Sequence, residues 1–284
     1  REAHTMIELQ NVTFRYREDP APTINDVSLL IPDGQFVGVT GAAGSGKSTL
    51  THILNGIVPH CYPGDFYGKA IICGRDTVDT SLTDISRMVG SVCQDVDSQM
   101  VSTVVEDEML FGLENFGVSH DEMDDRVDEA LEAMGISNLR DRTIAGLSGG
   151  QRQKVAVAEI LALHPAVLVL DEPTAELDPV SSRSVFAQLK EYATQRDTTV
   201  VVVEQKIALL GEYADRILVL KDGAILLDGA PSEVLGHADM LLAEGINCPR
   251  STTLVERLRR RGLYAGHAAR TVSKAVDVVR EVLA

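Results

Sequence analysis

Short runs of consecutive apolar residues alternate with helical patterns along most of the chain. Three of these runs, Phe36–Thr40, Val167–Leu170 and Thr199–Val203, are mostly aliphatic, which is typical of strands buried on both faces. Because helical patterns separate them, the order predicts an α/β domain with a mainly parallel sheet. Ligands of such sheets bind outside the carboxyl ends of the strands, where polar residues follow each run.

The N-terminal part of the chain has a different pattern. Ile7–Tyr16 alternates apolar and polar residues, which predicts a half-buried antiparallel strand, and Val27–Ile31 predicts a second strand. Further predicted strands are Lys69–Cys73, Met88–Gln94, Arg216–Leu220 and its hairpin partner Ala224–Leu227; the predicted helices are Lys47–Asn55, Leu147–Leu163 and Pro179–Arg196. The pattern therefore adds an antiparallel part to the parallel sheet.

An acidic segment from Asp95 to about Thr143 is predicted to form an inserted helical subdomain. Within Asp121–Met134, apolar residues recur at helical spacing, and Ser119 precedes them as a candidate N-cap. The residues expected on the buried face are Met123, Val127, Ala130, Leu131 and Met134.

Composition excludes several classes of protein. The chain has 284 residues and a net charge of −16, so duplex nucleic acid is not an expected partner. Its four cysteines, Cys61, Cys73, Cys93 and Cys248, lack CxxC spacing and are expected to be reduced thiols. No apolar run approaches the roughly 20 residues that cross a bilayer. We therefore expect a soluble chain, which can still dock onto a membrane protein.

The segment Gly41–Thr49 reads GAAGSGKST and lies between a predicted strand and a predicted helix. It fits the pattern GxxxxGK[ST], in which backbone N–H groups surround the phosphates of a nucleotide. Lys47 is expected to reach the β- and γ-phosphates, and Ser48 to ligate Mg²⁺. The residues predicted to bind a nucleotide here are Gly41, Ala42, Ala43, Gly44, Ser45, Gly46, Lys47, Ser48 and Thr49.

Two adjacent acids follow the buried run Val167–Leu170. Asp171 is predicted to hold Mg²⁺ through water, and Glu172 to polarise a water for attack on the γ-phosphate. Two acids in this position could instead stabilise a helix N-terminus. The phosphate-binding motif in the same chain favours the catalytic interpretation.

A second glycine-rich helix start reads LSGGQ. It consists of Leu147, Ser148, Gly149, Gly150 and Gln151. A helix N-terminus of this kind binds phosphate, and one subunit rarely needs two such sites for one nucleotide. We therefore expect LSGGQ to serve a nucleotide held by another subunit.

With these motifs in this order, the chain resembles the ATP-binding cassette (ABC) ATPases from Ile7 to Leu235. The resemblance implies a P-loop NTPase (RecA-like) α/β core with an antiparallel β subdomain, an inserted α-helical subdomain and a small C-terminal extension. It implies that Tyr16 stacks on adenine and that Gln94 contacts Mg²⁺ and senses a transmembrane partner. Asp178 matches the aspartate of the family's D-loop. The expected domains are 6–236 for the cassette, with helices at about 95–147, and 237–284 for the extension.

The stretch after Gln94 has a narrower resemblance. Gln94–Asn115 reads QDVDSQMVSTVVEDEMLFGLEN and resembles the ATPases of energy-coupling factor transporters, although Asp95-Val96 replaces the usual Asn-Pro. These bacterial importers of vitamins and of nickel or cobalt ions pair two ATPases with membrane proteins. The residues Gln94–Glu108 are expected to contact a transmembrane coupling protein; Glu106, Asp107 and Glu108 could pair with its arginines or form a solvated face. Ile246–Leu283 resembles the small dimerisation extension, but its pattern also fits any amphipathic helix.

The polar triplet after Val200–Val203 lies at the position of the family's switch histidine. Aligning VVVVEQ on that strand places Gln205 there, as a donor to the γ-phosphate. A glutamine amide can donate to phosphate but carries no charge. A shift of one residue would place Lys206 there instead. We expect Gln205, with Glu172, to be catalytic and to give a weakened or asymmetric site.

The resemblance implies an ATP-hydrolysing subunit, with ATP and Mg²⁺ as cofactors, that energises an importer from the cytoplasmic face of a bacterial-type membrane. It implies a second ABC ATPase, identical or similar, as partner. Two alternatives remain at this stage: a catalytically weak cassette in an asymmetric pair, and a regulatory ABC switch that does not act in transport.

Overall fold

A computed structural model describes residues 5–93, 95–96 and 98–283 of the chain. Gln94, one of the predicted site residues, lies outside the described residues. Within them, no helix combines the length and the apolar character needed to cross a membrane. The thiols of Cys61, Cys73, Cys93 and Cys248 are all free.

The described strands form two sheets. In chain order they are β1 (Thr5–Tyr16), β2 (Ile24–Pro32), β3 (Phe36–Gly41), β4 (Gly64–Ile72), β5 (Arg75–Asp76), β6 (Val89–Val92), β7 (Val167–Asp171), β8 (Thr199–Val203), β9 (Arg216–Lys221) and β10 (Ala224–Gly229). The first sheet is antiparallel, in the order β2-β1-β4-β5. The second has the order β10-β9-β3-β8-β7-β6 and is parallel except at β10.

Helices follow most strands of the parallel sheet. They are α1 (Lys47–Leu54), α2 (Ile57–His60), α3 (Leu82–Ser86), α4 (Val105–Asn115), α5 (His120–Ala133), α6 (Gly149–Ala162), α7 (Pro179–Arg196), α8 (Ile207–Tyr213), α9 (Pro231–Leu235), α10 (Ala238–Ala243), α11 (Arg250–Arg260) and α12 (Val272–Leu283). Short 3-10 turns lie at Ser137–Leu139 and Ile144–Gly146. The predicted fold class is confirmed; α2, α3 and α8 are elements that the apolar pattern did not separate from their surroundings.

The central strands β3, β7 and β8 lie side by side, which explains their continuous apolar runs. All five residues of β7 and all five of β8 are buried, since both faces of these strands are covered. One apolar cluster lies between the two sheets and includes Phe14, Ile53 and Val201. A larger cluster lies on the other face, under α6 and α7. This layering brings the ends of β3, β7 and β8, and the turns after them, to one edge.

The acidic segment forms α4 and α5, which pack against α6. Met123, Val127, Ala130 and Leu131 are buried there, as their spacing predicts. Ser119 occupies the N-cap position of α5, but its side chain makes no capping hydrogen bond.

The acids at the start of α4 do not form one charged surface. Glu106 pairs with Arg140, and Glu108 is 1% exposed. The Glu108 carboxylate accepts hydrogen bonds from the backbone N–H groups of Val101 (3.1 Å) and Ser102 (2.6 Å). Only Asp107 of the three is exposed. The three acids therefore act neither as one contact for a partner nor as one solvated face. Glu108 instead fixes the loop that precedes its own helix.

The C-terminal residues fold back onto the parallel-sheet side of the molecule. α11 and α12 share a small apolar cluster around Val255 and Val278, while Ile246 and Ala268 belong to the main cluster. The Arg270 guanidinium donates to two carbonyls at the end of α8, Gly211 O (2.7 Å) and Ala214 O (3.2 Å). The extension is therefore attached to the helix that follows Gln205 and Lys206.

Candidate active site

The loop between β3 and α1 is the predicted phosphate-binding segment. Gly44 and Gly46 have φ values of 74° and 99°, and a Cβ on Gly46 would lie 2.6 Å from Thr23 O, so glycine is required there. The Lys47 ammonium lies within the loop and donates to Gly41 O (3.0 Å) and Ala42 O (2.7 Å). Burial lowers the pKa of Lys47, while nearby Glu172 and Asp171 act to raise it. The loop thus holds a partly desolvated cation where phosphates would bind.

Ser48 and Asp171 meet at one end of the site. Asp171 ends β7, is 9% exposed and accepts a hydrogen bond from Ser48. Burial raises the pKa of Asp171, the Ser48 hydrogen bond lowers it, and Glu172 raises it. A cavity of about 240 Å³ is lined by both residues and also by His52, Cys93 and Asp95. This cavity therefore presents a hydroxyl and a buried carboxylate side by side.

Glu172 and Gln205 are in direct contact. Glu172 follows β7 with a φ of 51°, and the Gln205 amide follows β8. Gln205 Nε2 donates to Glu172 Oε1 at 2.5 Å. The two residues predicted to be catalytic lie 33 positions apart in the chain, and the parallel pairing of β7 with β8 brings them together.

Lys206 points away from Gln205. Its ammonium donates to Thr174 O (2.6 Å), Leu177 O (3.2 Å) and Ser182 Oγ (3.0 Å). All three acceptors lie between Glu172 and the first turn of α7. The two adjacent residues that competed for the switch position therefore have separate contacts in the structure.

Tyr16 lies beside the phosphate-binding loop. Its hydroxyl is 3.0 Å from Thr49 Oγ1, and its ring makes edge contacts with Phe14 and Tyr62 at centroid distances of 4.8 and 5.8 Å. The ring is half-buried, at the end of β1. The structure therefore brings Tyr16 to the loop.

The LSGGQ segment starts α6 with a capping box. The Ser148 side chain accepts from Gln151 N–H (3.3 Å), and Gln151 Oε1 accepts from Ser148 N–H (3.0 Å). Asp178 caps α7 by accepting from the N–H groups of Val180 and Ser181, and the Ser181 hydroxyl holds the pKa of Asp178 below its ordinary value. LSGGQ and Asp178 line a shared cavity of about 440 Å³.

This cavity does not include the residues of the phosphate-binding loop. The lining residues of the LSGGQ cavity come from residues 135–139, 148–154 and 176–181. The predicted site residues thus form two separate groups on one chain: Gly41–Thr49 with Asp171, Glu172 and Gln205, and LSGGQ with Asp178.

Three segments of the chain line the phosphate-binding site, and the sequence predicted only two of them. A cavity of about 520 Å³ is lined by the loop residues Gly41–Ala43, by Gln205–Ala208 and by Gly245–Pro249 of the extension. Burial raises the pKa of Cys248, in this last segment, to about 11. No local motif marks the segment, since its position depends on the folding of the extension over α8.

A family model described as "ABC transporter" matches residues 24–175 of the chain. PH1815 of Pyrococcus horikoshii, named as an ABC transporter ATP-binding protein, is 37% identical over 275 residues, which are 97% of this chain and 96% of that protein. The chain belongs to the ABC transporter family. It also spans 41% of an ABC transporter ATP-binding protein of Streptomyces avermitilis, with 40% identity over 231 residues.

Solved structures of ABC ATPases match the chain over most of its length. CbiO1 from Clostridium perfringens, described as part of the ABC transporter complex CbiONQ, is 30% identical with a TM-score of 0.75 and covers 89% of this chain and 99% of CbiO1. The cassette MJ0796, solved as a post-hydrolysis dimer with ADP and phosphate, is 29% identical with a TM-score of 0.71 and covers 80% of this chain. The chain is thus an ATP-binding ABC transporter ATPase.

Proposed function

We propose that this ABC ATPase energises an importer of the energy-coupling factor type, for vitamins or transition-metal ions, at the cytoplasmic face of the cell membrane. The observation that carries the proposal is the likeness to CbiO1, part of the CbiONQ complex, over 89% of this chain. The sequence of Gln94–Asn115 supports it independently, because that stretch resembles this group of ATPases and not ABC ATPases in general.

The residues at the end of β7 fit Mg²⁺. Asp171 is a buried carboxylate whose pKa is raised by burial, and a cation would offset that cost. Ser48 supplies a hydroxyl oxygen in the same cavity, and oxygen ligands are those that Mg²⁺ prefers. When bound, the ion would neutralise charge on the β- and γ-phosphates. Ser48 and Asp171 would hold it, and Gln94 is proposed as a further ligand.

Glu172 and Gln205 are proposed to act on the attacking water. The Gln205 amide has two N–H donors, of which one bonds to Glu172. The other can donate to a γ-phosphate oxygen, so one side chain can align the base with the phosphate. Lys47 and the N–H groups of Gly41–Thr49 would hold the phosphates, and Tyr16 would stack on adenine.

Two cassettes are proposed to enclose each nucleotide between them. The phosphate-binding loop and the LSGGQ group line different cavities of this chain, which supports binding of LSGGQ and Asp178 to the nucleotide of a second ABC ATPase. A helix N-terminus such as that of α6 favours phosphate. ATP would therefore close the pair, and hydrolysis would release it. The extension, residues 237–284, is proposed to help hold the pair together.

The membrane partner is proposed to dock beside the start of α4. A groove of about 650 Å³ there is lined by Met100, Ser102, Thr103, Thr143, Ile144, Ala145 and Arg152. The groove includes residues of the expected contact region Gln94–Glu108, which supports this position for the coupling protein. Of the acids Glu106, Asp107 and Glu108, Asp107 is the exposed one and is available to a cationic partner.

A catalytically weak cassette is the second candidate, and Gln205 favours it. The neutral amide makes a weaker contact with a charged phosphate than a charged donor would. In this version the chain still closes the pair, while its stronger partner hydrolyses most of the ATP.

The test of the proposed function combines purification and uptake. We expect the tagged chain, purified from detergent-solubilised membranes of its source organism, to carry a second ABC ATPase and integral membrane proteins in fixed ratio. Cells that carry only Glu172→Gln should lose uptake of a vitamin, nickel or cobalt, whereas Lys69→Met, at an exposed lysine, should not. Normal uptake of all these substrates in the Glu172→Gln cells would exclude hydrolysis at this site as the source of energy for uptake.

The second candidate is tested by single-site turnover. ATP hydrolysis by this chain, with the partner's base disabled, should be well below hydrolysis in the reverse combination. Equal rates at the two sites would exclude the weak cassette.

A further inference from the structure

Lys206 connects two turns at the edge of the parallel sheet. The first is the β7–α7 turn, residues 172–178, and the second is the β8–α8 turn, residues 204–206. The Lys206 ammonium donates to Thr174 O at 2.6 Å and to Leu177 O at 3.2 Å, both within the β7–α7 turn. It also donates to Ser182 Oγ at 3.0 Å, in the first turn of α7. One cation thus bonds to three residues of one neighbouring segment.

Glu204 provides a second connection between the same turns. It is 2% exposed, and its Oε1 accepts from the N–H groups of Gln205 (2.9 Å) and Lys206 (3.0 Å). Its Oε2 accepts a short hydrogen bond from the hydroxyl of Thr174, which is fully buried. That hydroxyl also lies 3.4 Å from Lys206 Nζ. The carboxylate and the ammonium are therefore joined through Thr174 in a network that leaves neither charge unpartnered.

The two ends of the β7–α7 turn are held by adjacent residues. Gln205 contacts Glu172 at the start of the turn, and Lys206 contacts Leu177 near its end. Leu177 and its neighbour Asp178 line the LSGGQ cavity. A shift of the β8–α8 turn would therefore move both the base Glu172 and the wall of the LSGGQ cavity.

We propose that Lys206 is a positioning residue that fixes the β7–α7 turn to the β8–α8 turn, so that Glu172 and Asp178 keep their relative positions. The positioning of the β7–α7 turn by Lys206 is inferred from the hydrogen bonds alone. If two cassettes enclose two nucleotides, Lys206 would also couple the two sites: loss of the γ-phosphate beside Glu172 would shift Asp178 in the LSGGQ cavity, which faces the other nucleotide. This coupling rests on the proposed function.

The chemistry of the contact requires an ammonium. Lys206 has three N–H donors on a flexible stem, which suit carbonyl and hydroxyl oxygens that converge from different directions. A planar guanidinium would keep the charge but cannot direct its donors in the same way. Methionine keeps the apolar stem and removes all donors. Lys206→Met therefore removes the contacts with little change in volume.

Hydrogen exchange of the isolated chain tests whether Lys206 stabilises the β7–α7 turn, and it needs no transport partner. The amides of Ala175 and Leu177 donate within the β7–α7 turn, to Glu172 O and Thr174 O. In Lys206→Met these two amides should exchange about tenfold faster, since the loss of charged hydrogen bonds weakens local structure by such a factor. Amides of β3 and β8 should exchange as in the unchanged chain, and Lys69→Met should leave the turn unaffected.

Kinetics provide the second measurement. Lys206 lines the cavity beside the phosphate-binding loop but directs its hydrogen bonds to the β7–α7 turn and to Ser182. In Lys206→Met the KM for ATP should therefore change much less than kcat, which should fall about tenfold. Lys206→Arg, which keeps the charge, should have exchange rates and a kcat between those of the unchanged chain and Lys206→Met. If Lys206→Met does not fold, the same measurements on Lys206→Arg test the proposal. Unchanged exchange in the turn, or faster exchange spread evenly over both sheets, would overturn the proposal. If the uptake and purification experiments exclude the transport role but exchange in Lys206→Met is faster only in the β7–α7 turn, the proposed function is wrong and the positioning role of Lys206 stands.

Discussion

Gln205 and Lys206 show how much two neighbouring side chains can differ in task. The strand β8 ends at Val203, and the backbone then turns so that Gln205 faces Glu172 while Lys206 faces the carbonyls before α7. Alignment alone left both residues as candidates for the switch position. The contacts support Gln205 for that role, since its amide donates to the proposed base.

Substitutions at Gln205 should change hydrolysis in opposite directions. Gln205→Ala removes the donor to Glu172 and to the phosphate and should lower turnover on the order of tenfold to a hundredfold. Gln205→His restores a donor that can carry charge and should raise turnover. The rates are measured in a pair whose other site lacks its base. A histidine variant as slow as the alanine variant would contradict this assignment.

Glu159 should make the stability of the chain depend on pH. Its side chain packs against Gly112 of α4, and burial, followed by the nearby charge of Glu108, raises its pKa from 4.5 to about 8. Between these values the folded chain keeps a proton that the unfolded chain has lost, so stability falls as pH rises. Glu159→Gln should remove this slope and stabilise the chain above pH 8 by on the order of 2 kcal/mol.

Urea unfolding at pH 5, 7 and 8.5 measures that dependence. The unchanged chain and Glu159→Gln should converge at pH 5, where the carboxyl is neutral in the folded state. Glu191→Gln, at an exposed site on α7, is the matched control. Parallel pH profiles for the unchanged chain and Glu159→Gln would show that the carboxyl is ionised in the folded state.

At the scale of elements, the start of α4 depends on one buried carboxylate. Glu108→Ala leaves the N–H groups of Val101 and Ser102 without their acceptor and should lower the free energy of unfolding by about 2–4 kcal/mol. Asp107→Ala, one residue away and exposed, should change it by less than about 0.5 kcal/mol. Urea unfolding compares the two. Equal effects would mean that Glu108 does not anchor the loop.

The elements also show what local patterns can predict. The apolar runs of β7 and β8 and the helical spacing of α5 are local signals, and the structure has these elements within a few residues of the predicted bounds. The helix α8 was not separated because its apolar residues follow β8 after only three polar residues. Glu108 was misinterpreted because its sequence gives no sign of burial; the backbone N–H groups that donate to its carboxylate lie six and seven residues away in a loop.

At the scale of the whole molecule, the two groups of site residues are proposed to act with a second cassette. Glu172→Gln should bind MgATP without hydrolysing it and so trap a closed pair. Size-exclusion chromatography with MgATP should show a dimer of this variant, alone or with its natural partner, and a monomer without nucleotide. Glu191→Gln should not be trapped. A monomer of Glu172→Gln under all these conditions would exclude the enclosed arrangement.

Contacts over long distances in sequence explain what motif reasoning could not reach. Gly41–Thr49, LSGGQ and Asp171-Glu172 are contiguous motifs, and their chemistry can be predicted from the sequence alone. The hydrogen bond from Lys206 to Leu177 forms because the β8–α8 turn lies beside the β7–α7 turn at the edge of the sheet. The same is true of Arg270, whose contact with α8 spans 59 positions.

The wall formed by Gly245–Pro249 has a consequence for biosynthesis. The ribosome makes the loop Gly41–Lys47, and the strands β8 and β9 that pair with β3, before it makes this wall. A nascent chain can therefore form its phosphate-binding loop while the cavity beside it is still open to solvent on one side. ATP that reaches such a chain meets an unfinished site, and the complete cavity forms only after translation has passed Pro249.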